Sequence, residues 1–266
     1  MEKIFERQWN EPHFKKLINE VPYFAIWDDH DAGTDNITPQ DTSCRKKEMF
    51  QTARKSFIKK IFDRNKIKSD TRIKNFRVGH NKIDFGTTEV LFGDKEPLDY
   101  SFEVGNIQFI MLDGISSRSK TTILTDEQFI SLETKFKNHN GLTILSTGAS
   151  LALGSAKWRW NGSRYKDDYR RLLKIIKNNK VIVLTGDIHE NATVIPDPLG
   201  NPSVPFFELV SSGVALGNGE GNFLVLDIHN INSREEWDVN FQHYGDSMKS
   251  KHKQKEGVIL IPPTRQ

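Results

Sequence analysis

Hydrophobic positions along this chain fall into runs of helix or strand length, separated by charged or glycine-rich stretches. Residues 10–20 place Phe14, Leu17 and Ile18 on one stripe, which predicts a short amphipathic helix. VPYFAIW (21–27) is continuously apolar, the pattern of a strand buried on both faces. Residues 43–62 have helical spacing, with Ser43 placed as an N-cap. Residues 63–75 are charged and read as a loop, and 76–94 alternate only weakly. LDYSFEV and NIQFIMLD (98–113) read as two strands joined through Gly105 and Asn106, a hairpin signal.

An ordered alternation follows. Residues 125–138 predict a helix, 142–147 a strand, 166–179 a helix and 181–187 a strand. Strand, crossover helix and strand in succession imply parallel pairing. The C-terminal part is β-rich, with SVPFFELVSS, NFLVLDIH and EWDVNFQHY in turn. In the last, Trp237, Val239 and Phe241 alternate with polar residues, as in a half-exposed antiparallel strand. No repeat or low-complexity linker divides the chain, so residues 1–266 read as one mixed α/β domain ending in a basic tail, 245–266.

Composition narrows the function classes. With 266 residues the chain is long enough for a substantial core. One cysteine, Cys44, allows neither a disulfide framework within the chain nor a cysteine-based zinc site. Net charge is +3, which does not argue for nucleic acid. No run of 18 apolar residues exists, so no membrane span is expected. The first residues lack the apolar core of a secretory signal. A cytoplasmic location is the default expectation, and export the expectation if a preceding segment carries a signal.

Two clusters carry chemistry. Trp27-Asp28-Asp29-His30-Asp31 follows one apolar run, and Gly186-Asp187-Ile188-His189 follows another. Ligands of open α/β sheets bind outside the carboxyl ends of strands. Several ionisable groups at such a point need partners, since bare buried charge is costly. Carboxylate oxygens and imidazole suit Zn, Mn, Fe or Ca. Strand alternation would put Asp187 and His189 on the same side. The plainer reading of WDDHD is a helix N-cap with solvated acids.

These motifs, with FIMLDGISSRS (109–119), ILTDEQF (123–129) and WRWNGSRYKDDYRRLL (158–173), resemble the alkaline-phosphatase-D-type branch of the calcineurin-like metallophosphoesterases. The resemblance implies a four-layer α/β/β/α sandwich. It implies two divalent or trivalent metal ions and hydrolysis of a phosphate mono- or diester by metal-bound hydroxide. By the same resemblance Asp29, Asp187 and His189 match metal ligands. Asp28 is a ligand or an orienting carboxylate, and Asn36 or Asp35 adds an oxygen. His30 matches the phosphate-contacting general acid. Arg118 and Arg164 are candidates to bind phosphate.

The family's two upstream metal motifs have no counterpart before residue 27, and Cys44 lies after WDDHD. The fold is therefore expected to be incomplete at its N-terminal side. The alternative function is an inactive fragment, or one half of a split enzyme that folds with a separate N-terminal half. Of the other histidines, His13, His80, His139, His229 and His252 read as surface or loop residues, and His243 is a reserve site candidate. Trp158 reads as packing. Ser211 and Ser212 have no His and Asp partners in the pattern of a serine nucleophile.

Overall fold

The computed structural model describes residues 7, 10–33, 37–39, 44–62, 72–79, 81–82, 96–153, 159–177, 179–196, 206–212, 222–231, 236–245 and 255–262. Asn36, Asp35, Ser43, Trp158, His80, His252 and all of 83–95 lie outside them.

The elements in chain order are α1 (Pro12–Glu20), α2 (Cys44–Phe62), β1 (Ile73–Val78), β2 (Asn81–Lys82), β3 (Tyr100–Val104), β4 (Ile107–Leu112), α3 (Asp126–Lys137) and β5 (Leu142–Thr147). They continue with α4 (Lys166–Ile176), β6 (Val181–Thr185), β7 (Ala192–Val194), β8 (Phe207–Val210), β9 (Phe223–Ile231), β10 (Glu236–Tyr244) and β11 (Glu256–Ile261). An eight-stranded mixed sheet runs in the order β2-β1-β3-β4-β5-β6-β8-β7, and β11-β10-β9 form a second sheet. Strands β4, β5, β6 and β8 are mutually parallel, as the alternation of strand and helix predicts.

Local chemistry accounts for the elements. Between β3 and β4, Val104 faces Ile107 and Gly105 takes a φ of 58°, so the expected hairpin forms where glycine accepts the left-handed turn. Helix α3 starts at a reciprocal cap, in which Thr125 accepts from the Gln128 amide and Gln128 accepts from the Thr125 amide. Helix α4 follows a segment tied to it by Asp168, whose carboxylate accepts from the amides of Ile123 and Leu124 at 2.6 and 3.2 Å.

Three cores result. Helices α3 and α4 bury Phe129, Leu132, Phe136, Leu172 and Ile176 against Ile110, Leu112, Leu145 and Val183 of the large sheet. The small sheet buries Trp237, Val239 and Phe241 against Ile144, Ile182 and Leu209. Beside it, α1, α2 and Trp27 cover Phe76, Val78, Tyr100 and Phe102. The architecture is therefore mixed α/β, a mixed sheet flanked by helices with a second sheet stacked on it. No helix among the described residues is long and apolar enough to cross a membrane.

Four expectations need correction. Residues 22–28 are neither helix nor strand and join no ladder among the described residues. Their polar backbone turns instead to a side chain, since the Tyr100 hydroxyl accepts from the Ala25 amide at 3.0 Å and donates to its carbonyl at 2.7 Å. Phe24 stacks on Phe102 with centroids 4.0 Å apart, so packing replaces pairing. Strand β1 begins inside the charged run read as a loop, because Phe76 and Val78 alternate with Lys74, Asn75 and Arg77. The segment read as a basic tail contains β11, which buries Ile259 and Ile261 beside β10. Strand β6 stops at Thr185, short of Asp187.

Candidate functional site

The loops that follow β4, β5, β6 and β8 meet at one edge of the large sheet. The Trp27 to Gly33 turn lies over them. Trp27 is buried, with its ring edge-on to Phe50 and Phe57 of α2 at 5.7 and 5.1 Å. After this anchor the chain turns sharply. The Asp28 amide donates to Asp31 Oδ2 at 3.1 Å, and the amides of Ala32 and Gly33 donate to the carbonyls of Asp28 and Asp29. Asp31 thus closes the turn, and burial, chiefly, pushes its carboxyl up to about 6.

The turn delivers Asp28 onto Gly148, the residue after β5. A methyl group placed on Gly148 would meet the Asp28 carboxylate atoms at 2.5–2.7 Å, so any side chain there would displace that carboxylate. The Gly148 carbonyl in turn accepts from the Gly186 amide at 2.9 Å, which joins the ends of β5 and β6. At Gly186 an added methyl would find its nearest neighbour at 3.6 Å, an ordinary contact. Close backbone approach is therefore required at Gly148, a residue the motifs did not single out.

Burial, then Asp29, raises the Asp28 carboxyl to about 7; Asp187 adds to the rise and Arg118 opposes it. Those causes bring both motif clusters together electrostatically. Asp29 is buried and His30 is exposed. Asp187 and His189 do not follow strand alternation. Both take left-handed backbone, with φ of 67° and 57°, a strained conformation for residues with side chains. The His189 amide donates to Ser212 Oγ at 3.2 Å, and the exposed imidazole lies beyond β6. Asp187 pairs with Arg159 at 3.3 Å.

Two cations flank these acids. Arg118 is 4 % exposed, and its Nε donates to the Gly114 carbonyl at 3.1 Å. Its turn is built by Asp113, whose Oδ1 accepts from the amides of Ile115 and Ser116 at 2.8 and 2.9 Å while Oδ2 accepts from the Leu98 amide at 2.7 Å. Arg159, rather than the expected Arg164, is the second cation beside the acids. Arg164 is half-buried, and with Arg118 it acts on Tyr165, whose hydroxyl donates to the Ser119 carbonyl at 3.1 Å.

Beneath the loops lies Glu208, fully buried in β8. Its carboxylate accepts from the amides of Leu151 and Ala152, both at 2.9 Å, and from Thr185 Oγ1 at 2.7 Å. Ser150 also bonds to it. Glu208 therefore clamps the loop carrying Gly148 to the end of β6. A charged residue inside the apolar run FFELV was the available signal. His243 is not at this site: its Nε2 lies 3.1 Å from Thr193 Oγ1, and burial pushes the imidazole down to about 4.

The donor chemistry fits a hard cation. Carboxylates crowd one another around Asp28, and Glu190, next to His189, buries Oε2 without a hydrogen-bond partner among the described residues. Among the described residues, however, no group of three or more His, Cys, Asp or Glu side chains is arranged to hold a metal. Asn36 lies outside that set. No family model matches the chain, and no curated protein matches it.

Proposed function

We propose that this protein is a metal-dependent phosphoesterase of the alkaline-phosphatase-D type, hydrolysing phosphate mono- or diesters. One observation carries the reading. Asp28 from WDDHD and Asp187 from GDIH influence each other across the carboxyl edge of the sheet, with Arg118 and Arg159 beside them. The reading includes the four-layer sandwich of that family.

Asp28, Asp29, Asp187 and His189 would hold the metal ions, with Asn36 adding an oxygen. When bound, the ions supply a hydroxide nucleophile at neutral pH and neutralise phosphoryl charge. The chain's own residues do the rest. Arg118 and Arg159 bind and orient the phosphoryl oxygens, which carry more charge at the transition state than in the ester. His30, exposed at the rim, gives a proton to the leaving oxygen. Glu208 and Asp113 hold the loops so that these groups stay in place.

The test is turnover of p-nitrophenyl phosphate and bis-p-nitrophenyl phosphate with Ca, Fe, Mn and Zn in turn. Turnover that falls at least a hundredfold in His30→Ala and Asp28→Asn supports the reading. Turnover unaffected by both variants overturns it.

A second reading is one half of a split enzyme, active only with a separate N-terminal half. It is favoured by an apolar groove of about 540 Å³ beside residues 22–28, which join no ladder among the described residues; Tyr23, Phe24, Phe102, Phe109, Met111 and Leu184 line it. Such a groove, beside a segment outside any ladder among the described residues, suits an added strand. Activity appearing only on co-expression with the segment encoded upstream supports this reading; turnover by the chain alone sinks it.

A further inference from the structure

The loop after β6 is held in a conformation that its own residues do not favour. Asp187 and His189 both take left-handed backbone, and between them the Ile188 amide donates to the Gly186 carbonyl at 2.9 Å. Backbone of this kind, at residues with side chains, persists only where the surroundings over-determine it. Here the determining contacts come from the small sheet.

Two buried asparagines make the connection. Asn222, 1 % exposed, stands immediately before β9. Its Nδ2 donates to the Ser212 carbonyl and its Oδ1 accepts from Ser211 Oγ, both at 3.3 Å. The Ser211 amide donates to the Thr185 carbonyl at 3.1 Å, and Ser212 Oγ accepts from the His189 amide at 3.2 Å. Asn222 thus fixes both serines between the end of β6 and the backbone of His189. Asn191, fully buried, lies two residues beyond His189. Its Nδ2 donates to the Tyr244 carbonyl, at the end of β10, at 2.9 Å.

Both ties lead to one corner of the small sheet. Phe223, next to Asn222, is the register partner of Tyr244, and the two rings stack with centroids 4.6 Å apart. Nine residue pairs join β9 to β10, so the corner is the end of a continuous ladder. Side chains mounted against such elements are placed more precisely than side chains on loops alone. We propose that Asn222 and Asn191 are positioning residues for His189, gripping its loop on both sides so that the second sheet sets where the imidazole stands. The task of His189 as a metal ligand rests on the phosphoesterase reading; the grip of the asparagines on its loop does not.

The test is amide hydrogen exchange at His189 in the metal-free full chain, read by ¹⁵N NMR, beside Mn²⁺ affinity read by water-proton relaxation. Asn222→Ala and Asn191→Ala should each speed exchange at His189 about tenfold, since each loosens the loop locally. Each should also weaken Mn²⁺ binding about tenfold, the usual result of removing a group that orients a metal ligand. Asn222→Ser and Asn191→Ser, which leave a hydroxyl in each buried space, stand in should an alanine variant fail to fold. Thr193→Val is the control for general loosening. It removes another buried bond between β7 and β10, that of Thr193 Oγ1 with His243 Nε2 at 3.1 Å, and should leave both readings within about twofold of wild type. Asn222 acts through Ser212, so in a Ser212→Ala background Asn222→Ala should add nothing further at His189. Unaltered exchange at His189 in the asparagine variants overturns the proposal, as does equal acceleration in Thr193→Val or a further acceleration in the double variant. Failure of the wild type to take up Mn²⁺ sinks the phosphoesterase reading instead, and exchange at His189 still decides the positioning.

Discussion

Two sets of carboxylates, one buried and one partly exposed, lie at the same edge of the large sheet and behave in opposite ways. Asp113 and Glu208 are saturated by donors from the chain: three backbone amides for the first, and two amides with two hydroxyl groups for the second. Asp28 and Asp187 lie above them and face each other, with Asp29 adjoining and arginines at the sides. The first set is framework, because its lone pairs are spent on holding loops. The second set retains mutual repulsion that its flanking arginines offset only in part, since Asp28 stays raised to about 7. A buried acid's donor inventory therefore separates scaffold from site better than its burial does.

The sharpest way to break this contrast is at the two glycines between the sets. Gly148→Ala forces a methyl into the Asp28 carboxylate. Overpacking of this kind costs about 1–3 kcal/mol. Displacement of Asp28 should also abolish metal-dependent turnover. Gly186→Ala, with its nearest neighbour at 3.6 Å, should leave both within a small factor of wild type. Urea denaturation and p-nitrophenyl phosphate assays on the pair check this, and equal behaviour of the two variants would remove the steric argument.

Next in size is the clamp. Glu208→Gln sets an amide N–H against a backbone N–H at Leu151 or Ala152. Stranding such buried donors costs about 1–3 kcal/mol. The denaturation midpoint should fall, and turnover should fall with it because the loop bearing Gly148 is released. An unchanged midpoint would show that the carboxylate is not the clamp.

Two pH effects of opposite sign come after these. Burial, then Asp113, raises Asp99 to about 7 from an ordinary 3.8. Below pH 4 both folded and unfolded chains hold the proton. Between pH 4 and 7 the unfolded chain releases it first, so the Asp99 contribution to stability is lost as pH rises through that window. Asp99→Asn should flatten that part of the stability profile. A denaturation series from pH 4 to 8 with unchanged slope in the variant would refute the assignment.

His243 works the other way and is the smallest effect. Its imidazole is lowered to about 4 from 6.5 by burial. Its contribution is present above pH 6.5 and is lost as pH falls toward 4, where the unfolded chain takes the proton first. His243→Gln should reduce the loss of stability on acidification between those limits, measured by the same series.

The alternating strand and helix pattern from β4 to β6 was legible from residues alone, because burial on both faces of a parallel sheet demands continuous apolar runs. So was the hairpin at Gly105, since it rests on local backbone chemistry. The path of residues 22–28 outside the ladders of the described residues was not legible. An apolar run suits ladder pairing and aromatic packing equally, and the Tyr100 hydroxyl settles the choice from 75 positions away. Nor was the pairing of Asp28 with Gly148, of Arg159 with Asp187, or of Glu208 with the loop at Leu151. A short sequence window records which groups are ionisable, but which oxygen finds which donor depends on loops that the fold alone brings within hydrogen-bond distance.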